Sequence, residues 1–277
     1  MNRTLSGNSL ATTTEKQLKK KNTLYLVLGS IFLTNALIAE MVGPKIFSLE
    51  ALLGTAPAQI ALLGEFTLDF NLTAGVVIWP IVFITTDVIN EYFGKKGVRQ
   101  ISFLTAALIA YVFIVLGAVT DLPPAQFWLD INNTDNAGNP FNINEAFNKT
   151  FLQSQRIIIG SLFAFLIGQF TDVITFQWLR RFTQSKKIWL RATGSTLISQ
   201  LIDSFVVLYI AFHAFDGPWS FKQVIAVGII NYIYKFIIAI ISTPLIYLAH
   251  YLIDLYLGKE FARQLAEDAA DSKLFGK

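Results

Sequence analysis

Apolar residues occur along this chain in runs of about 20, separated by polar connections. An α-helix rises 1.5 Å per residue, so a run of this length crosses roughly 30 Å of hydrocarbon. The pattern predicts an all-α integral membrane protein with one membrane domain over residues 23–258. We expect a bundle of six transmembrane helices, over residues 24–43, 72–93, 101–120, 157–178, 193–213 and 223–249.

Polar segments flank this domain. Residues 1–22 are rich in Thr, Ser and Lys, which predicts a disordered basic tail, and residues 259–277 are expected to form a second tail. A basic tail before an apolar run is also typical of a secretory signal. However, the run over 24–43 is longer than the apolar core of such signals, and no small-residue cleavage motif follows it. We therefore expect an uncleaved helix.

The connections also carry local signals. The alternating stretch Phe66–Phe70 predicts a short hairpin or a re-entrant element, and the polar and aromatic mixture over Asn144–Phe151 predicts a short surface helix. The last apolar run is too long for one span. Pro244 should kink it and leave 245–257 as a tilted or interfacial extension.

Composition narrows the class of protein. Hydrophobic residues make up 53% of the chain and charged residues 15%, whereas soluble domains carry about a quarter charged residues. The absence of cysteine excludes disulfides, thiolate nucleophiles and iron–sulfur clusters. Only two histidines are present, which leaves little for a histidine-based metal site. We expect a protein without a metal site, a cofactor or catalytic residues. The sequence lacks a G-x-x-x-x-G-K-[ST] phosphate loop, which leaves a gradient, a partner protein or metabolic trapping as the energy source.

The distribution of positive charge predicts orientation. If the amino-terminus is cytoplasmic, seventeen of the 22 Lys and Arg residues lie on the cytoplasmic side. Four, Lys45, Lys149, Arg156 and Lys222, lie outside, and Lys235 lies within a span. Because basic residues collect in cytoplasmic loops, we expect a protein of the inner membrane with both termini in the cytoplasm.

Polar side chains inside the predicted spans are the candidates for function. A charged group in a spanning helix costs ~2.5–3.5 kcal/mol on insertion scales, so it normally faces the bundle interior. The spacings i,i+3 and i,i+4 place several of these groups in pairs on one helix face. The charged candidates are Asp87, Asp172, Asp203 and Lys235, and the amides are Asn35, Gln169, Gln200 and Asn231.

Depth along the helices suggests partners for some of these groups. Asp203 and Lys235 lie at similar heights and are expected to form an ion pair. Glu91 is expected to cap its helix or reach the interface, and His250 with Asp254 is expected to form a surface pair. The alternative for the whole set is that interhelical polar contacts only hold the helices together.

One tetrapeptide occurs twice. Thr86-Asp87-Val88-Ile89 in the second span returns as Thr171-Asp172-Val173-Ile174 in the fourth. Internal repeats are common in transporters, although four residues can recur by chance. Two aspartates on separate spans also admit an intramembrane aspartyl protease, whose carboxylates would share a proton. The Gly-x-Gly-Asp signature typical of those enzymes is missing, since Gln169-Phe170-Thr171 precedes the second aspartate.

Longer motifs resemble the queuosine precursor transporter family, also called the VUT family. The resemblance runs from about residue 24 to 258, and the ordered set of motifs is more specific than any one of them. The matching segments are Trp79–Lys96, Arg156–Val173 with its Gly168-Gln169-Phe170-Thr171-Asp172-Val173, Arg191–Ser204 with its Ser199-Gln200-Leu201-Ile202-Asp203-Ser204, and Asn231-Tyr232-Ile233-Tyr234-Lys235.

The resemblance implies a six-helix bundle similar to the substrate-binding subunits of energy-coupling-factor vitamin transporters. It also implies import of 7-deazaguanine precursors of queuosine, such as the 7-cyano or 7-aminomethyl compound. The implied partners are a purine-like small molecule, the lipid bilayer and an unidentified energising partner, but no nucleic acid. The implied substrate-binding residues are Asn35, Asp87, Gln169, Asp172, Gln200, Asp203, Asn231 and Lys235.

The chemistry of these side chains suits such a ligand. A guanine-like edge offers adjacent N–H donors and a carbonyl acceptor, which a carboxylate and an amide or lysine can satisfy. Trp79, Phe83 and Phe176 are candidates to stack on a purine ring, although aromatic residues in spans more often face lipid or pack. The alternatives are a vitamin-binding subunit that needs a separate ATPase module and a purely structural membrane protein.

Overall fold

The computed structural model describes residues 3–43, 45–152, 155–183, 188–214 and 217–270. These residues are mostly helical, with four short strands at one end of the bundle. The helices are α1 (Arg3–Val42), α2 (Leu49–Leu53), α3 (Trp79–Thr120), α4 (Gln126–Ile131), α5 (Ile143–Phe151), α6 (Gln155–Phe182), α7 (Ile188–Leu208), α8 (Phe221–Leu257) and α9 (Lys259–Ala270).

Five of the described helices are long and apolar enough to cross a membrane. They are α1, α3, α6, α7 and α8. The protein is therefore a multi-pass membrane protein, as predicted. α1 begins at Arg3, within the segment predicted to be a disordered tail. α8 continues through Pro244 to Leu257, across the residues predicted to be a separate extension.

α3 is interrupted at Gly94. This residue has φ 65° and ψ −169°, inside an element of 42 residues. Backbone of this conformation is essentially restricted to glycine, because a Cβ atom would clash with the neighbouring peptide groups. α3 therefore consists of a first arm, residues 79–93, and a second arm, residues 95–120.

The two arms run in opposite directions along α1. The Tyr25 ring lies 4.8 Å from the Phe93 ring, while Gly75, just before the first arm, lies against the carbonyl of Ala39. The first arm is thus antiparallel to α1. The Tyr25 hydroxyl donates to the Gly97 carbonyl at 2.8 Å, and Ile101 lies against Gly29. The second arm is therefore parallel to α1, and the chain reverses at Gly94.

α6, α7 and α8 form an antiparallel series. Gly160 of α6 lies near Ala211, and Gly194 of α7 lies near Leu179, so α6 and α7 run in opposite directions. At the next interface the ring of Phe205 lies where a Cβ of Gly228 would be, and the hydroxyls of Thr193 and Thr243 are 3.0 Å apart. Glycine at position 228 thus permits the close approach of α7 and α8.

The first arm of α3 lies at the centre of the bundle. Every residue from Thr85 to Tyr92 is buried, whereas a lipid-facing helix exposes one side. Its apolar residues pack with α1 and α6, and its polar residues face α6 and α8. The central core consists of Phe32, Ala36, Val82, Ile89, Val98, Ile101, Phe165 and Val173.

The segment before α3 differs from the prediction. The second span was expected to begin near residue 72, but the chain forms a strand at Asn71–Thr73 and a 3-10 turn at Ala74–Val77 before the helix starts at Trp79. Pro80 explains the late start. A proline fits the first turn of a helix, where its missing N–H has no intrahelical partner.

Four strands make the protein not strictly all-α. β1 (Ile46–Ser48) pairs antiparallel with β4 (Asn71–Thr73), and β2 (Ile60–Leu62) pairs with β3 (Phe66–Leu68). The second pair confirms the hairpin predicted around Phe66–Phe70, and α5 confirms the short helix predicted over Asn144–Phe151. In these segments the strand hydrogen bonds, instead of helical ones, satisfy the backbone N–H and C=O groups.

At the opposite end, three consecutive residues of α3 bind two other helices, α6 and α8. Gln177 donates to Asn90 at 2.8 Å, Arg180 forms an ion pair with Glu91 at 3.4 Å, and Tyr92 donates to Asp254 at 3.1 Å. Glu91 is buried, so the expectation that it caps or reaches the interface was wrong.

His250 is also buried, and its Nδ1 lies 3.0 Å from the Tyr92 hydroxyl, which also binds Asp254. The prediction of a His250–Asp254 pair at the surface was therefore wrong, because His250 is enclosed by the bundle. Helix α9 completes this end of the bundle. The Arg180 guanidinium donates to the Ala266 carbonyl at 2.5 Å, and Ala262 and Leu265 are buried against α3 and α8. The segment predicted as a carboxyl-terminal tail therefore contributes a packed helix.

Candidate functional site

A cavity of about 440 Å³ lies between the helices on the side of the bundle that carries the strands. Residues of the segments that connect the long helices line part of this cavity, among them Ile46, Thr73 and Leu152. Lys149 at its edge is exposed and pairs with Glu145 at 2.6 Å. Ligand cavities of small molecules are typically about 300–1,000 Å³, so this space is sufficient for a bound metabolite.

An ion pair lies deeper in the same cavity. The Lys235 ammonium donates to the Asp203 carboxylate, as the sequence predicted, and the two side chains are 15% and 24% exposed. Mutual attraction offsets the cost of placing both charges inside the membrane domain, and their remaining exposure is to the cavity. The amide Asn231, one helical turn before Lys235, lines the cavity as well.

Two smaller cavities adjoin the large one. The first, of about 30 Å³, is lined by Asp87, Thr193, Thr196 and Lys235. The second, of about 20 Å³, is lined by Gln169, Asp172, Ser199, Gln200 and Asp203. Trp79 lines all three cavities, and each member of the Asp203–Lys235 pair lines the large cavity and one small one. The ion pair thus stands where the three spaces meet.

Hydroxyl groups of α7 surround the carboxyl group of Asp172. Ser199 donates to Asp172 Oδ1 at 3.4 Å, and Ser195 and Thr196 also bind this carboxyl group. Asp172 is 6% exposed. Among the residues that the structure describes, no lysine or arginine forms an ion pair with it.

The two glutamines beside Asp172 differ in their contacts. Gln169 Oε1 accepts a hydrogen bond from Thr86 at 3.2 Å, which links α6 to the first arm of α3. Gln200 is 3% exposed, and its Oε1 accepts no hydrogen bond from the described residues. A buried acceptor without a donor costs about 1–3 kcal/mol, so this atom marks a position where a ligand group would be favoured.

Two residues predicted for the site lie elsewhere. The Asn35 amide donates to the Ile31 carbonyl of its own helix at 2.8 Å, and Asn35 lines none of the three cavities. Phe176 is fully buried and packs on Ile246, so it is a core residue rather than a stacking platform. The other seven polar candidates each line at least one cavity.

Sequence reasoning missed several cavity residues. Glu40 lines the large cavity and accepts a hydrogen bond from Ser161 at 2.5 Å. Its position, where the first apolar run ends, could have indicated a role. Phe165 and Tyr234 carry no comparable signal, since aromatic residues are abundant in every span. Phe165 lies 6.1 Å from Trp79, and Trp79 stacks on Phe83 at 5.7 Å, which forms an aromatic wall.

The sequence profile of a family described as "Putative vitamin uptake transporter" matches residues 73–249 of this chain. The match covers more than half of the chain. Of the helices that line the three cavities, it leaves out only α1. The chain belongs to the vitamin uptake transporter family. The resemblance found in the sequence motifs is therefore confirmed.

Named relatives agree with this assignment. A "Probable queuosine precursor transporter" of Bacillus subtilis (strain 168) is 32% identical over 184 residues, which cover 65% of this chain and 73% of the relative. The "Queuosine precursor transporter" of Escherichia coli (strain K12) is 29% identical over 177 residues, covering 63% of this chain and 70% of the relative. No solved structure matches this chain significantly.

Membership in this family decides the class of activity. The vitamin uptake transporters move a solute across a membrane and are not enzymes, so this chain is a transporter. The alternative of an intramembrane aspartyl protease is therefore rejected.

Proposed function

We propose that this vitamin uptake transporter imports a queuosine precursor, a 7-deazaguanine, and binds it in the large cavity. The observation that carries the proposal is the Asp203–Lys235 pair in the wall of a cavity of about 440 Å³ inside an apolar bundle. Intramembrane charges that face a cavity typically mark a solute pathway. The printed names of the relatives supply the class of solute.

Charge and hydrogen bonding in the cavity suit a deazaguanine. The carboxylate of Asp203 can accept from the adjacent N–H donors of the guanine-like edge, and the ammonium of Lys235 can donate to its carbonyl oxygen. In this proposal the ligand separates the two side chains and satisfies each of them. Asn231, on the same face of α8 as Lys235, adds an amide that can donate or accept.

Aromatic side chains favour a flat ligand. Trp79 and Phe165 line the same part of the large cavity as Asp203, and their ring centroids are 6.1 Å apart. Stacked aromatic contacts contribute about 0.5–1.5 kcal/mol beyond the buried area, which would favour a purine-like ring over an aliphatic solute. The hydrogen-bonding edge of the ring then reaches the polar side chains deeper in the cavity.

The six-helix topology is part of the proposal. The reversal at Gly94 makes each arm of α3 a separate crossing, so that α1, two arms of α3, α6, α7 and α8 give six. Lys95, Lys96 and Arg99 follow the reversal, and Arg180 and Arg181 end α6. Positive charge at this end supports an orientation with this end in the cytoplasm and the strands outside, in the inner membrane.

Cysteine labelling tests this topology, since the natural chain has none. Lys96 and Asn136 are both exposed, at opposite ends of the bundle. We expect Asn136→Cys to react with an impermeant maleimide in intact cells and Lys96→Cys to react only after permeabilisation. If α3 crossed the membrane once, Lys96→Cys would lie at mid-membrane and resist labelling in both conditions.

Transport is tested in cells that cannot make queuosine precursors. Expression of this chain with external 7-cyano- or 7-aminomethyl-7-deazaguanine should restore queuosine in tRNA. Asn231→Leu keeps the side-chain size but removes the amide, and we expect it to reduce uptake by ~10-fold or more. Ser102→Ala, which removes a buried hydroxyl that lines none of the three cavities, is the matched control.

Reconstitution distinguishes an autonomous transporter from the alternative, a binding subunit that needs a separate ATPase module. Uptake by the purified protein in liposomes supports an autonomous transporter. If the protein binds the precursor but transports it only with a separate ATPase module, it is a binding subunit. If neither compound is bound or rescues queuosine, while the protein is inserted normally, the proposed substrate is wrong.

A further inference from the structure

The cavity around Asp172 is too small for the proposed solute. Its volume is about 20 Å³, against about 440 Å³ for the large cavity. A cavity needs ~10–15 Å³ to hold one water molecule, so the small cavity accommodates a single occupant of that size. A 7-deazaguanine ring system cannot enter it unless the helices separate.

Charge balance indicates what that occupant is. A buried carboxylate needs a counter-charge or several hydrogen-bond donors, because burial removes its hydration. The described contacts of Asp172 are to the hydroxyls of Ser195, Thr196 and Ser199, and no described basic side chain pairs with it. A hydroxyl can turn its lone pairs toward a cation as readily as it donates its proton.

Gln200 supplies an independent observation. The residue lines the same cavity, and its Oε1 is buried and accepts no hydrogen bond within the described structure. A buried acceptor without a donor and a buried carboxylate without a counter-charge therefore belong to the wall of one small space, and both are unfavourable if that space stays empty. A cation in that space would be bound by both oxygens at once.

We propose that the cavity formed by Asp172, Ser199 and Gln200 is a binding site for a monovalent cation of the size of sodium. The ligands would be oxygens of a carboxylate, a hydroxyl and an amide, the donor types that hard cations prefer. The site's carboxylate supplies one negative charge, because the nearby Asp203 is neutralised by Lys235. A monovalent ion balances that charge, whereas a divalent ion would leave a buried excess.

The position of Asp203 links this site to transport, and this step rests on the proposed function. Asp203 lines both the small cavity and the large one, so its orientation affects both. Gly168 of α6 faces Asp203, and a Cβ atom at this position would be in ordinary contact with the carboxylate, 3.9 Å from Oδ1. When the solute displaces Lys235 from Asp203, a cation beside Asp172 weakens the repulsion between the two neighbouring carboxylates. Solute and cation should therefore bind with positive cooperativity.

Binding of radiolabelled sodium to the purified protein, without solute, tests the site directly. We expect saturable binding that Asp172→Asn and Gln200→Met each weaken at least tenfold. Gln200→Met preserves the shape of the side chain and removes the oxygen, and Ser199→Ala provides a third, smaller change. Ser102→Ala, a buried hydroxyl outside the three cavities, should bind sodium like the wild type. Elution volume and thermal unfolding identify variants that fail to fold.

Liposome uptake of labelled 7-aminomethyl-7-deazaguanine then tests coupling. An inward sodium gradient should accelerate uptake at constant pH, and Gln200→Met should lose this acceleration. Sodium binding without any precursor binding would reject the proposed function and leave the cation site standing. Precursor binding that is the same in sodium and in choline, with no sodium bound, overturns the cation site. Acceleration by a proton gradient alone, without any effect of sodium, would likewise overturn it.

Discussion

The two copies of Thr-Asp-Val-Ile have the same sequence but different surroundings. In the first arm of α3, all four residues from Thr86 to Ile89 are buried, and Ile89 is 0% exposed. In α6, Asp172 and Val173 are buried, whereas Ile174 is 51% exposed and faces the lipid side of the bundle. The first copy belongs to a central helix with neighbours on every side, and the second belongs to a peripheral helix.

The aspartates of the two copies also face different spaces. Asp87 lines the small cavity that contains Lys235, and Asp172 lines the one that contains Gln200 and Asp203. The Asp203–Lys235 pair stands between them. Because helical spacing is the same in both copies, the shared tetrapeptide determines which residue faces inward. It does not determine which side chains surround that residue.

Separating the ion pair should have the largest effect. Asp203→Asn leaves the Lys235 ammonium buried beside the Asp87 cavity without its carboxylate, and we expect a loss of roughly 3–5 kcal/mol in unfolding free energy. The measurement is reversible unfolding in detergent. Asp203→Asn combined with Lys235→Met should regain most of the stability but not transport. Additive losses in the double variant would show that the two residues do not interact.

The packing difference between the copies predicts the next effect. Ile89→Ala removes a fully buried side chain from the central core, and we expect a loss of about 2–5 kcal/mol. Ile174→Ala, the matched change in α6, should stay within about 0.5 kcal/mol, because half of its side chain contacts lipid. Equal losses at the two positions would contradict the assignment of a central and a peripheral helix.

The two aspartates should both affect uptake, but in different ways. One contact to a charged group is worth roughly 1.5–3 kcal/mol. The loss of such a contact, at Asp87 in the cavity beside Lys235 or to the proposed cation beside Asp172, should weaken solute uptake by ~10–150-fold. Asp172→Asn should also abolish the sodium dependence, whereas Asp87→Asn should keep it.

Uptake assays at several sodium concentrations, normalised to inserted protein, distinguish these outcomes. If both Asn variants transport normally, the polar residues only hold the helices together. In that case the binding site lies elsewhere in the protein.

The sequence alone determined the class of protein and most of its helices. Hydrophobic runs of bilayer length require helices, because no water is available there to bind the backbone. Helical spacing and depth also predicted the Asp203–Lys235 pair, and the motifs predicted the family. These conclusions depend on periodicity and composition, which act locally along the chain.

Other features depended on the approach of distant segments. Glu91 was expected at an interface, but it is buried and pairs with Arg180 of α6, which also donates to the Ala266 carbonyl of α9. Asn35 was expected in the site, but its amide donates to the Ile31 carbonyl of its own helix. Neither outcome can be read from spacing within one helix.

The division of the polar residues among three cavities was likewise decided only by tertiary structure. Asp87 and Asp172 occupy identical positions in identical tetrapeptides, so local sequence gives them the same orientation toward the interior. Which helix lies opposite, and how closely, depends on side-chain packing between segments more than 20 residues apart, such as Phe205 on Gly228. The volume of each cavity is the space that this packing leaves unfilled between the helices. It depends on several segments at once and cannot be predicted from any one of them.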